Sequence, residues 1–91
     1  MRLTRPASEI AFALKRRVPN VVAHVERRHG FRLEDVLHRR SLPESQRFIH
    51  DLVLELHQRR WAPAEIARWL DTDQRAVERA IAQTRRAEAT R

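Results

Sequence analysis

A chain of 91 residues supports one apolar core, so a single domain spanning residues 1–91 is expected. Gly30 is the only glycine and cysteine is absent, which excludes a phosphate-cradling P-loop, a dinucleotide fingerprint, disulfides, thiolate metal sites and cysteine nucleophiles. Nineteen Lys and Arg against twelve Asp and Glu leave a formal charge of +7, a field that attracts polyanions and puts nucleic acid first among partners.

The spacing of apolar residues at three and four, with almost no alternation of strand formers, predicts an all-α fold of five to six helices. A first helix is predicted over Pro6 to Arg17, with Ile10, Phe12, Ala13 and Leu14 as its buried side chains, and Pro19 stops it. Asn20 is expected to cap a second helix running to about His29, with Val22, Val25 and Val21 inward and Gly30 as a left-handed stop. A brief third helix follows from Leu33 to Arg39. Ser41-Leu42-Pro43-Glu44 reads as an N-cap with proline in the first turn and glutamate in capping-box position. That run opens the central helix, where Phe48, Ile49, Leu52, Val53 and Leu56 share a face.

The segment Ala64 to Ile81 has the spacing of a helix-turn-helix. Ala67 supplies the small residue a close crossing needs, Ile66 and Leu70 are its inward neighbours, and Val77 and Ile81 anchor the second helix, predicted over 73–84. Thr72 is expected to cap that helix with Asp73 at its positive end, and Asp71 stands where a turn glycine is usual. With Val77 and Ile81 inward, Gln74, Arg75, Glu78, Arg79 and Ala82 point outward. Gln74 can pair with adenine and Arg75 or Arg79 with guanine, while Glu78 can accept from cytosine or form a salt bridge with Arg75.

These residues resemble the C-terminal DNA-binding domain of the bacterial replication initiator DnaA, a Trp-repressor-like helix-turn-helix. The resemblance covers residues 20–86 and rests on Val22-Ala23, on Glu34-Asp35-Val36-Leu37-His38-Arg39-Arg40-Ser41, on Glu65-Ile66, and on Asp73-Gln74-Arg75-Ala76-Val77 with Ala80. It divides the chain into an N-terminal helix (1–19), the DnaA-like core (20–86) and a tail (87–91). By analogy the residues matching Asp73, Gln74 and Arg75 read bases, and the basic run after the short helix contacts phosphates. The family's usual Asp-His-Thr-Thr-Val reads Asp73-Gln74-Arg75-Ala76-Val77 here and its Gly-Gly turn is missing, so the resemblance implies the docking mode and not the family's own DNA box. Free-standing small proteins similar to this domain occur as transcriptional activators in phage-derived clusters, including gene transfer agents.

The expected function is therefore sequence-specific binding of double-stranded DNA in transcription regulation, most simply as an activator that is cytoplasmic and nucleoid-associated. Asp73, Gln74, Arg75, Glu78 and Arg79 would read bases, and Arg39, Arg40, Ser41, Arg47 and Thr72 would hold phosphates. RNA polymerase or another DNA-binding protein is the further partner, and no enzyme activity, cofactor or membrane is expected. The alternative is a protein-interaction adaptor built on Ile10, Phe12 and Leu14, or a replication-initiation accessory module without ATPase activity.

Other signals are weaker. No run approaches the roughly 20 apolar residues of a membrane span, and Met1 to Lys15 lacks a signal peptide's long apolar stretch, so a soluble intracellular protein is expected. His50, Glu55 and His57 lack metal-ligand spacing. His24, His29 and His38 sit beside arginines and are expected on a solvated or phosphate-facing surface. Trp61 is placed in a loop and Trp69 against the core, a poor signature for single-strand stacking.

Overall fold

Apolar residues spaced i, i+3, i+4 and i+7 set the first helix. α1 (Ala7–Arg17) buries Ala7, Ile10, Ala11 and Leu14 on one row. Phe12, expected inward, lies off that row and is 63% exposed, because two alanines occupy the positions that meet the core. α1 packs against α2 (Pro19–His29), α3 (Leu33–His38) and α5 (Pro63–Leu70). It is thus core, and the reading of Ile10, Phe12 and Leu14 as a free partner-binding set is corrected: only Phe12 faces outward.

The computed structural model describes residues 5–89 and contains six helices, completed by α4 (Pro43–Gln58) and α6 (Gln74–Ala89), with no strand among the described residues. Residues 1–4, the beginning of the expected N-terminal segment, lie outside the described residues, as do 90 and 91 of the expected tail. Helix α6 continues through Ala89, beyond the expected end at residue 84.

Proline fixes three of the helix starts. Pro19, Pro43 and Pro63 each occupy the first helical turn, where a missing N–H costs nothing and φ is already set. The preceding residues Val18, Leu42 and Ala62 become the cap positions, and none of them donates a side-chain cap. Asn20 and Ser41 therefore do not cap α2 and α4, contrary to expectation. Pro19 opens α2 rather than merely ending α1.

Three helix ends need a left-handed residue, and one glycine cannot serve all of them. Gly30 (φ 75°) takes the first, its N–H donating to Glu26 O at 2.8 Å. Arg60 (φ 69°) closes α4, with Arg60 N–H on His57 O and Trp61 N–H on Leu56 O. Asp71 (φ 53°) closes α5 in the same paired arrangement, a Schellman motif.

Around the central α4, whose Phe48, Leu52, Val53 and Leu56 are buried, pack α2, α3, α5 and α6. Lys15 joins α1 to α2 and α3, reaching Glu34 at 2.8 Å and Glu26 at 3.3 Å. The hydrogen bond from Lys15 holds the Glu34 carboxyl below its ordinary range, and the same contact raises the Lys15 ammonium. Glu26 also accepts the Leu33 N–H at 2.9 Å, satisfying an orphan donor at the start of α3. Among the described residues no helix is long and apolar enough to cross a membrane.

Candidate nucleic-acid interface

The last two helices build the candidate surface. α5 buries Ile66, Ala67 and Leu70, and after a three-residue turn α6 returns with Val77 and Ile81 buried at 1% and 7% exposure. The small side chain of Ala67 sits at this junction, and its carbonyl accepts the Thr72 N–H at 2.9 Å. Asp73 is the residue that caps α6: its Oδ1 accepts the Ala76 N–H at 2.8 Å. The cap expected of Thr72 is thus supplied one residue later, and Thr72 is half-buried.

With Val77 and Ile81 facing the core, Asp73, Gln74, Arg75, Glu78 and Arg79 are all exposed. Gln74 Nε2 donates to Glu78 Oε1 at 2.9 Å, so Glu78 pairs with Gln74 and not with Arg75. Among the described residues the guanidinium groups of Arg75 and Arg79 have no hydrogen-bond or ion-pair partner in the protein.

Two distant arginines brace the turn before α6. Arg40 Nη2 donates to Leu70 O, the last carbonyl of α5, and Arg5 Nη2 donates to Arg68 O at 3.2 Å. The Arg5 N–H also donates to Asp71 Oδ2 at 3.2 Å. Burial lowers the pKa of Arg40 and the Asp71 carboxylate opposes that effect; as an arginine it remains a cation. The Arg40 guanidinium is therefore turned onto the end of α5, with its Nε buried, rather than out toward an incoming phosphate. Arg39, Ser41 and Arg47 are exposed. The contact from Arg40 to Leu70 brings the α3–α4 loop to the end of α5, while Arg39 itself lines a groove between α3 and α4 with Phe31, Asp35 and His38.

A groove of about 480 Å³ runs between α4 and α6, with Gln46, His50, Thr72, Arg79 and Gln83 among its walls and Val53 and Val77 in its floor. His50 Nε2 is 2.8 Å from Thr84 Oγ1, closing its far end. Gln46, Gln83 and Arg5 carry no local sequence signal for a place in this region; Arg5 meets Asp71 across 66 positions, a pairing only the fold creates.

The remaining candidates resolve differently. His29 is half-buried and 3.0 Å from Asp51, which also pairs with Arg28 at 2.9 Å, so His29 faces α4 rather than an open phosphate-binding surface. Trp61 and Trp69 pack ring to ring at 5.9 Å against the core, with Arg17 5.9 Å from the Trp61 ring. Among the described residues no group of three His, Asp or Glu is placed to hold a metal. No family model, curated protein or solved structure matches the chain.

Proposed function

We propose that this protein is a sequence-specific double-stranded DNA-binding regulator, an activator of transcription working at the nucleoid, with α5 and α6 acting as a helix-turn-helix. The carrying observation is the pair of exposed, unpartnered guanidinium groups of Arg75 and Arg79 on a helix pinned from behind by Val77 and Ile81. Bidentate donors of this kind match the guanine edge in the major groove. Arg39, Ser41 and Arg47 would position the domain on phosphates from the adjoining loop and α4. The resemblance to the initiator domain supports the same docking mode, and RNA polymerase is the natural further partner of an activator.

Arg75→Ala and Arg79→Ala are expected to weaken a preferred duplex by about 1 to 3 kcal/mol while leaving random duplex nearly unchanged. Arg39→Ala and Arg47→Ala should weaken all duplexes alike and reduce the salt slope by about one. Equal losses on both kinds of duplex for Arg75→Ala and Arg79→Ala would refute base reading. The adaptor reading retains one favourable observation, the 63% exposed ring of Phe12 with the Arg16 guanidinium 5.8 Å from its centroid. Phe12→Ala with unchanged DNA affinity but a lost protein partner would favour it, and a replication accessory would show origin-specific rather than promoter-specific occupancy.

A further inference from the structure

Among the exposed residues of α6, Gln74 and Glu78 are tied to each other, and this bond constrains what they can present. A carboxylate only accepts hydrogen bonds, so the Gln74 amide must turn its NH2 toward Glu78, as the 2.9 Å Nε2 to Oε1 contact has it. The flip of the amide, otherwise free on a solvated side chain, is thereby set by its neighbour's chemistry. One N–H is taken by Glu78, while the carbonyl oxygen and the second N–H remain for a ligand.

One acceptor beside one donor is the complement of the adenine edge in the major groove, with its N6 donor and N7 acceptor. The guanine edge offers two acceptors, O6 and N7, and would meet the fixed carbonyl oxygen and the nearby Glu78 charge with repulsion. We infer that Glu78 is a positioning residue that orients the Gln74 amide to read adenine and to reject guanine at one base pair. The inference rests on the proposed reading of α6 as the base-facing helix. In this division of labour Glu78 does not pair with cytosine, and Arg75 and Arg79 supply the guanine contacts.

The test is selection of bound sequences from a duplex pool randomised over one to two helical turns, using the full chain and its Glu78→Gln and Gln74→Ala variants. The glutamine in E78Q can donate or accept and carries no charge, so it no longer dictates the flip. The wild-type motif should contain a position dominated by adenine and depleted of guanine. E78Q should reduce the adenine-to-guanine ratio there by about tenfold, with the other positions, the salt slope and the thermal midpoint unchanged. Gln74→Ala should remove the preference at the same position. An unaltered adenine position in E78Q, or a motif in which Gln74→Ala changes no adenine position, overturns the inference while leaving DNA reading intact. Absence of any motif in the wild-type selection overturns both, and a thermal midpoint lowered in E78Q assigns Glu78 a merely structural role.

Discussion

Asp71 and Gly30 both hold left-handed backbone, and the reasons for their side chains differ. At Gly30 a Cβ would meet nothing within 4 Å, so glycine is there for conformation alone. At Asp71 the conformation costs an L-residue roughly 1 to 2 kcal/mol, yet the carboxylate accepts the Arg5 N–H and faces the half-buried guanidinium of Arg40. Hydrogen bonds to charged groups contribute about 1.5 to 3 kcal/mol, which outweighs the backbone cost. Asp71→Gly is therefore expected to destabilise the fold by about 1 kcal/mol although it relieves the turn, because a flexible glycine also favours the unfolded chain. Urea unfolding checks this, and a raised midpoint would show that backbone strain dominates. The sequence marks Asp71 as a departure from the usual glycine, but its charged neighbours come from the chain's beginning and from the α3–α4 loop, beyond the reach of local pattern.

Four of the six helices begin by one of two devices, a proline in the first turn (α2, α4, α5) or an aspartate cap (α6), and residue patterns suggest a different capping residue for three of them. Asn20, Ser41 and Thr72 all have good capping chemistry, and none of them starts its helix. For Asn20 and Ser41 the reason is the nearby proline: its locked φ draws the first turn to itself and leaves Val18 or Leu42 at the boundary. At α6, where no proline intervenes, the choice lies between Thr72 and Asp73, and the backbone bond from Thr72 N–H to Ala67 O commits that residue to ending α5. Asp73→Ala is accordingly expected to cost about 1 kcal/mol and Ser41→Ala less than about 0.5 kcal/mol in thermal unfolding. Similar losses for the two would contradict the assignment of caps. The apolar faces were far more legible, since burial follows the 3.6-residue period closely in α4, α5 and α6. Phe12 departs from expectation because the buried row of α1 runs through Ala7, Ile10, Ala11 and Leu14, which leaves position 12 on the solvent side.

Across the whole molecule, charge location differs from charge count. The N-terminal twenty residues carry +4 and residues 63–91 only +1, so a tally places more of the charge at the N-terminal end. Pairing in the fold neutralises part of the total. Lys15 is held by Glu26 and Glu34, Arg28 by Asp51 and Arg59 by Glu55, whereas Arg39, Arg47, Arg75 and Arg79 are exposed with no acceptor bonded among the described residues. Arg16, Arg17, Arg27, Arg32, Arg60, Arg68 and Arg85 are exposed in the same way, so the free cations are spread over several faces and those of α6 and the α3–α4 loop are part of that set. The N-terminal helix lies outside residues 20–86, the span of the family resemblance, yet it covers one side of the core. Deleting residues 1–18 removes the fully buried Ile10 and Leu14, together worth about 3 to 6 kcal/mol, from a domain whose total stability is of order 5 to 15 kcal/mol. The truncated chain is expected to lose its near-ultraviolet circular dichroism, and retention of a cooperative melt would refute the helix's place in the core.

The reach of Arg40 to the last carbonyl of α5 has a mechanical consequence. The link ties the segment 39–42 to the end of α5, the helix on which α6 packs, so any displacement of α5 must stretch it or drag that segment along. Under the proposed DNA-binding function, the segment 39–42 and the end of α5 would need little reordering against each other on association. The amide protons of Leu42 and Thr72, bonded to Arg39 O and Ala67 O in separate parts of the chain, are expected to exchange with one common opening free energy in hydrogen-exchange measurements, and unequal values would refute the coupling.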